Sequence, residues 1–225
     1  MTPALVIFDC DGVLVDSETV SADVLRDMAA ESGIGLDRPG AFALLHGRKV
    51  AHWVAELGEL GGRPLPDGFV EEFRARTFTA FERELRPVPG VAEALAALDV
   101  PDCVASSAPM EKIRHVLALT GLLRRFDGRL HSAYEVGVWK PDPGLFLHAA
   151  RAAGAAPERC VVVEDSAVGV AAGVAAGMRV LGYAPDGSGT GRQLARAGAR
   201  VFTDMSRLPS LVAETTDRVP TGHAR

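Results

Sequence analysis

Apolar and polar residues follow two regimes along this chain, and the change between them falls near Pro87. The chain opens on Ala4-Leu5-Val6-Ile7-Phe8, an apolar run rich in the branched types that suit a pleated strand, with Asp9 directly after it. So continuous a run predicts a strand buried on both faces. Residues 17–32 then place Val20, Val24, Leu25 and Met28 on one helical face, and Gly33 ends the pattern. Arg38-Pro39-Gly40 reads as a break, residues 41–60 as a helix in two pieces broken near Gly47, and Gly61 to Pro66 as a turn. Residues 67–86 are helical again, with Phe69, Phe73 and Phe78 as expected core anchors.

No strand pattern appears between residues 16 and 87, so an all-helical insertion follows the first strand. Beyond Pro87, helices over 90–98, 109–120, 143–153, 166–176 and 189–197 alternate with extended stretches over 102–105, 129–131, 160–163, 179–183 and 200–202. Strands alternating with helices predict an α/β fold: a doubly wound parallel sheet, Rossmann-like, with right-handed crossovers. The expected division is a core of residues 1–15 and 87–215, a helical insertion of 16–86, and a loose tail of 216–225 that lacks an apolar pattern.

Composition narrows the picture. The 225 residues are 48% hydrophobic and 24% charged, enough apolar material for a core with an ordinary surface. A net charge of -5 and a pI near 5.7 argue against a nucleic-acid or anionic-membrane partner, which would call for a basic surface. No apolar run reaches the ~20 residues of a membrane span, and the first is too short for a signal peptide. Cys10, Cys103 and Cys160 form neither a closed disulfide set nor a metal-ligand spacing, and read as core residues in a reducing compartment. A cytoplasmic protein is expected, and nothing demands more than a monomer. Lysine occurs only at Lys49, Lys112 and Lys140, whereas arginine is abundant, so a site needing a compact ammonium has few candidates.

The candidate chemistry lies at strand ends, where open α/β sheets collect it. Asp9 and Asp11 are close enough to repel, and both stay ionised only beside a cation. An Asp in this place also serves as a cap or turn former. A calcium loop is excluded, because it needs Gly at its sixth position and Glu at its twelfth, where this chain has Gly at the fourth and Val20 at the twelfth. After the second strand, Ser106, Ser107 and exposed amides before Pro109 make an anion cradle, or else a simple N-cap. Lys140 precedes Pro141-Asp142-Pro143, a stiff frame that would fix its ammonium, or else stands as a surface lysine before a helix. The strand over 160–163 ends in Glu164 and Asp165, which fit a magnesium site of oxygen ligands, or else an N-cap. Small residues Ala171, Ala172, Gly173, Ala175 and Ala176 would let the next helix pack close. In the insertion, His46, His52, Arg74 and Arg76 are candidates alongside the Gly47-Arg48-Lys49 turn, which is the better one because a Gly break aims two cations. Each is otherwise a solvated surface charge.

Residues Asp9 to Glu18 resemble the first signature of the haloacid dehalogenase-like hydrolases, in the sugar-phosphatase and β-phosphoglucomutase branch. Ser106, Lys140-Pro141-Asp142-Pro143 and Glu164-Asp165 resemble its second, third and fourth motifs, in order, and the likeness spans residues 4–185. Ser107 stands where many members carry Asn. The resemblance implies an Mg²⁺-dependent phosphatase that hydrolyses a small sugar or sugar-acid phosphate through an aspartyl-phosphate. In it, Asp9 would be the nucleophile and Asp11 the general acid and base. Ser106, Ser107 and Lys140 would hold the phosphoryl group, and Asp9, Asp11 (through its carbonyl), Glu164 and Asp165 would hold the metal. The insertion would be a cap that reads the leaving group, through Gly47, Arg48 and Lys49 among others. The run from Trp139 to Ala150 looks most like bacterial sugar-phosphate phosphatases, including the 6-phosphogluconate phosphatase type. A mutase of the same branch carries a cap-proximal His where this chain has Thr19-Val20-Ser21. Dehalogenases and phosphonoacetaldehyde hydrolases lack an acid at the Asp11 position. A non-catalytic binding protein on the same fold would not need so many close acids.

Overall fold

The computed structural model describes residues 3–48, 50–185 and 189–214. Strand β1 (Leu5–Phe8) is followed by four helices, α1 (Ser17–Glu31), α2 (Arg38–Leu45), α3 (Val50–Leu60) and α4 (Phe69–Glu84). The chain then runs through α5 (Val91–Ala96), β2 (Asp102–Ser106), α6 (Met110–Leu119), β3 (Leu130–Ser132), α7 (Ala133–Val136) and α8 (Gly144–Ala152). It closes with β4 (Cys160–Glu164), α9 (Ala167–Ala175), β5 (Arg179–Tyr183), α10 (Gly191–Ala197), β6 (Arg200–Phe202) and α11 (Leu208–Glu214). Among the described residues the strands form one sheet in the order β3-β2-β1-β4-β5-β6, with every pairing parallel.

All four residues of β1 are buried, as the apolar run predicts. Val6 and Phe8 face a layer that includes Leu95 of α5, Ile113 and Leu117 of α6 and Leu211 of α11. Leu5 and Ile7 face the other layer, with Leu145 and Phe146 of α8, Val170 of α9 and Leu194 of α10. Period-two alternation therefore feeds two cores, one on each side of the sheet. Helix α9 sits close on its strands at Gly173, where a Cβ would lie 2.7 Å from Val180 Cγ2. Helices α1 to α4 form an inserted helical cap with its own core of Leu25, Met28, Leu44, Trp53, Leu57, Phe69 and Phe73.

Several expectations need correction. Arg38-Pro39-Gly40 is the first turn of α2: Asp37 caps it, accepting from Gly40 N at 2.8 Å, and Pro39 fits where a helix has no use for its missing N–H. Phe78 is only half-buried and stacks on His115, while Phe81, one turn along α4, is the buried anchor and joins the core beneath the sheet's α6 side. The short α7 and the terminal α11 have no counterpart among the predicted elements; too few residues carry a 3.6-residue period there. Lys49 and the tail expected over 216–225 lie outside the described residues.

Candidate active site

The sheet order places β1 between β2 and β4, so the three strands bearing candidate groups end side by side. The winding direction reverses between β1 and β4, the place where such sheets open a crevice at their carboxyl ends. Asp9 continues β1 by one bond, its N–H donating to Val163 O at 2.9 Å. The chain then turns tightly. Gly12 has φ +77°, and Leu14 N and Val15 N both donate to Cys10 O. A Cβ on Gly12 would lie 1.8 Å from Asp165 Oδ2, so only glycine lets this backbone press against the fourth-strand acid. The two crossings between sheet and cap run as a bonded pair, with Asp16 N to Arg86 O and Val88 N to Leu14 O both at 3.0 Å.

Lys140 is buried, and its Nζ lies 2.5 Å from Asp9 Oδ1 and 2.5 Å from Glu164 Oε1. The surface-lysine alternative is thereby removed. Burial favours the neutral amine, but Asp9 and Glu164 outweigh it and raise the Lys140 pKa. The other oxygen of Glu164 accepts from Asp165 N, Ser166 N and Ser166 Oγ at 2.9 to 3.0 Å. Glu164 is thus a brace, joining Lys140 to the start of α9. Ser166 caps α9 through Gly169 N, so Asp165 is not spent as an N-cap.

Asp165 and Asp9 are left short of positive charge. Burial first, then Glu18, Glu164 and Asp9, push the Asp165 carboxyl well up. Burial also raises Asp9, with Glu164 and Asp11 adding to the rise and Lys140 opposing it, so its pKa reaches about 7. Oxygens of Asp9, Glu164 and Asp165 lie within 4.8 Å of one another. Three buried carboxylates with one ammonium among them suit a hard divalent cation, and this cluster can hold a metal.

Asp11 stands apart from that cluster. Lys112 Nζ lies 2.9 Å from its Oδ1, and Ser17 Oγ donates to the same oxygen. Burial raises the Asp11 pKa, but Lys112 and Ser17 together lower it below the ordinary value. Sequence reasoning assigned neither Lys112 nor Ser17; the available signal was that Lys112 is one of only three lysines and lies six residues after Ser106, in the first turn of α6.

Ser106 is buried, and its Oγ accepts from Ala108 N at 3.1 Å. Helix α6 has Pro109 at its N-cap with no side-chain cap bond, so Ser106 is not its cap. Ser132 Oγ donates to Ala108 O at 2.7 Å and pins the loop. Ser107 is exposed beside it.

From the cap, the Gly47 turn meets the core: φ there is +64°, and a Cβ would lie 3.3 Å from Ser166 Cβ. His46 is the side chain delivered to the site. Its Nδ1 lies 2.5 Å from Glu18 Oε2 and 3.8 Å from Asp165 Oδ2, with the ring stacked on Phe42. Burial lowers the His46 pKa, but Glu18 and then Asp165 outweigh it, so the net shift is upward. Arg48 instead pairs with Glu56 at 2.5 Å, Arg76 with Glu31 and Glu72 on the surface, and His52 and Arg74 are exposed.

Residues 3–177 match the haloacid dehalogenase-like hydrolase family. The chain is 34% identical over 207 residues to 6-phosphogluconate phosphatase of Escherichia coli strain K12, covering 92% of this chain and 93% of that protein. It is 35% identical over 181 residues to hexitol phosphatase B of the same strain, covering 77% and 80% of the two chains. A solved HAD family hydrolase of Deinococcus radiodurans R1, with bound phosphate and sodium, is 33% identical with a TM-score of 0.84, covering 95% of this chain and 96% of that one. A family match over most of the chain, together with full-length likeness to phosphatases on the same fold, leads to one conclusion: this protein belongs to the haloacid dehalogenase-like hydrolases and is a phosphatase.

Proposed function

We propose that the protein hydrolyses a small sugar or sugar-acid phosphate monoester in two steps through an aspartyl-phosphate on Asp9, with Mg²⁺ as cofactor. The observation that carries this reading is the Lys140 ammonium held between Asp9 and Glu164, beside Asp165. It neutralises Asp9 Oδ1, and the other carboxylate oxygen would be the nucleophile. Asp9 attacks phosphorus and the bond to the leaving oxygen breaks; Asp11, once it has taken up a proton against the pull of Lys112 and Ser17 toward its ionised form, gives that oxygen the proton. Asp11 then takes a proton from water as the water attacks the acyl phosphate, which returns Asp9 and releases orthophosphate. Lys140, the Ser106 hydroxyl and amides near Ser107 stabilise charge on the phosphoryl oxygens. Asp9, Asp165 and the carbonyl of Asp11 would hold Mg²⁺, which neutralises phosphoryl charge when bound, while Glu164 orients Lys140. The Gly47 turn, with His46 and Arg48, is the cap's route to the leaving group.

Two named relatives act on phosphorylated sugar derivatives by their names, 6-phosphogluconate phosphatase and hexitol phosphatase B, and this supports the substrate class. The cap and the core acids come from one chain, which supports a monomer. The three unpaired cysteines are buried and agree with a reducing, cytoplasmic setting.

The test is phosphate release from 6-phosphogluconate, 2-deoxyglucose 6-phosphate, fructose 1-phosphate, hexitol phosphates and β-glucose 1-phosphate, with Mg²⁺ and with EDTA. Mg²⁺-dependent release from one or a few is expected. Conversion of β-glucose 1-phosphate to glucose 6-phosphate with no free phosphate would replace hydrolysis by mutase chemistry.

A further inference from the structure

Asp11 is gripped by one oxygen only. The Lys112 ammonium and the Ser17 hydroxyl both fall on Oδ1. The two groups come from opposite sides of the cap connection. Ser17 opens α1, the first cap helix. Lys112 stands on α6 with its ammonium 5.9 Å from the centroid of Phe81, near the end of α4, the last cap helix. Two contacts on a single oxygen restrict the carboxyl's rotation.

The choice of lysine supports this reading. Of 24 basic residues in the chain, only three are lysines, and two of those three lie on the two acids of the first strand end. A guanidinium is a fork that engages both oxygens of a carboxylate, whereas an ammonium is a compact charge that can hold one. Lys140 behaves alike: it takes Oδ1 of Asp9 and Oε1 of Glu164, one oxygen of each. Each of the two acids is therefore contacted on one oxygen by an ammonium.

We propose that Lys112 is a positioning residue for Asp11, clamping Oδ1 together with Ser17 so that Oδ2 is aimed at the leaving oxygen of an alkyl phosphate. The inference rests on the phosphatase reading in which Asp11 is the general acid. A carboxyl that swings freely loses the alignment on which proton transfer depends.

The test compares kcat/KM for the best alkyl phosphate of the panel above with that for p-nitrophenyl phosphate, whose phenolate departs without a proton. Lys112→Met is expected to lower kcat/KM on the alkyl ester by about 10–100-fold, within the span that positioned acids supply, and to leave the aryl ester within about threefold. Lys112→Arg keeps the charge, and is expected to lose at least about tenfold on the alkyl ester because the fork takes both oxygens. Equal losses of Lys112→Met on the two esters, or wild-type kinetics in Lys112→Arg, overturn the proposal. Asp11→Asn separates the two levels. If it shows the same leaving-group dependence and Lys112→Met does not, only the role of Lys112 fails. If Asp11→Asn loses both esters alike, the acid role of Asp11 fails with it.

Discussion

Around Asp9 the side chains carry more negative charge than they can balance. Asp9, Asp11, Glu18, Glu164 and Asp165 face Lys112, Lys140 and His46, and burial amplifies every unpaired charge. Asp9→Asn removes one charge without changing shape and leaves Lys140 its Glu164 partner. Turnover should fall by at least about 10³-fold, the scale seen when a nucleophile is lost, while the circular dichroism spectrum stays that of the folded protein. Wild-type-like phosphate release from Asp9→Asn would remove Asp9 as nucleophile. Gly12→Ala tests the turn. The added Cβ would collide with Asp165 at 1.8 Å and sits on a φ of +77° that a side chain resists. Isothermal titration of Gly12→Ala with Mg²⁺ should show affinity weakened at least about tenfold, the scale of disturbed support around metal ligands; unchanged affinity would separate Asp165 from the metal.

Secondary-structure elements deliver these groups in proportion to how tightly they pack. Helix α9 brings its N-terminus under Glu164 at Gly169, where a Cβ would lie 1.8 Å from Oε1, and meets the sheet at Gly173. Gly169→Ala should therefore disturb Glu164 and, through it, Lys140, lowering kcat more than stability. Helix α4 ties the cap to the core through Phe81, fully buried in the sheet-side cluster. Phe81→Ala is expected to lower unfolding free energy by about 3–5 kcal/mol, as truncation of a buried ring does. Chemical denaturation reads that loss directly, and a change under about 1 kcal/mol would mean the cap does not anchor there. At the cap's other contact, Gly47 already stands 3.3 Å from Ser166, as a hypothetical Cβ measures it. Gly47→Val should hold the cap turn off α9 and raise KM for the phosphate ester, and, because a branched side chain at φ +64° is strained, lower the melting temperature as well.

For the molecule as a whole, the site's charge couples stability to pH and to metal. Asp9 in the folded protein has a pKa raised to about 7, and Asp165 is raised as well. Their unfolded values are those of ordinary aspartate, about 3.9. A raised folded pKa means that the folded state binds the proton more tightly. Its stabilising contribution is complete below about pH 4 and is lost as pH climbs through about 7. Metal-free protein should accordingly lose thermal stability as pH rises from about 4 through about 7, the window of Asp9, and Asp165 acts in the same direction. Mg²⁺ bound to these carboxylates would reverse the loss by taking the proton's place, so the rise in melting temperature on adding Mg²⁺ should be larger at pH 8 than at pH 5. Thermal scans at the two pH values, with and without Mg²⁺, check the sign. An equal or larger gain at pH 5 would place the metal away from these carboxylates.

Much of the fold was legible because it is written in local periods. The buried strand β1, the strand–helix alternation after Pro87 and the absence of strands among the described residues of the insertion all follow from apolar spacing, which needs only neighbouring residues to express. Asp9, Asp11, Ser106, Glu164 and Asp165 could be singled out because they stand at or just after strand ends, and Lys140 because of the Pro-x-Pro frame that follows it. What the chain could not declare by itself is who meets whom. The order β3-β2-β1-β4-β5-β6 puts residues 9, 106 and 164 side by side, and such pairing depends on contacts far apart in sequence. Lys140 joins Asp9 across 131 positions. Lys112 reached Asp11, and His46 rather than Arg48 reached Asp165, through packing of whole helices that no short window contains. Local pattern determined which elements and which acids this protein has; the tertiary structure decided which cation each acid would keep, because burial and distance, not spacing along the chain, set the strength of those charges.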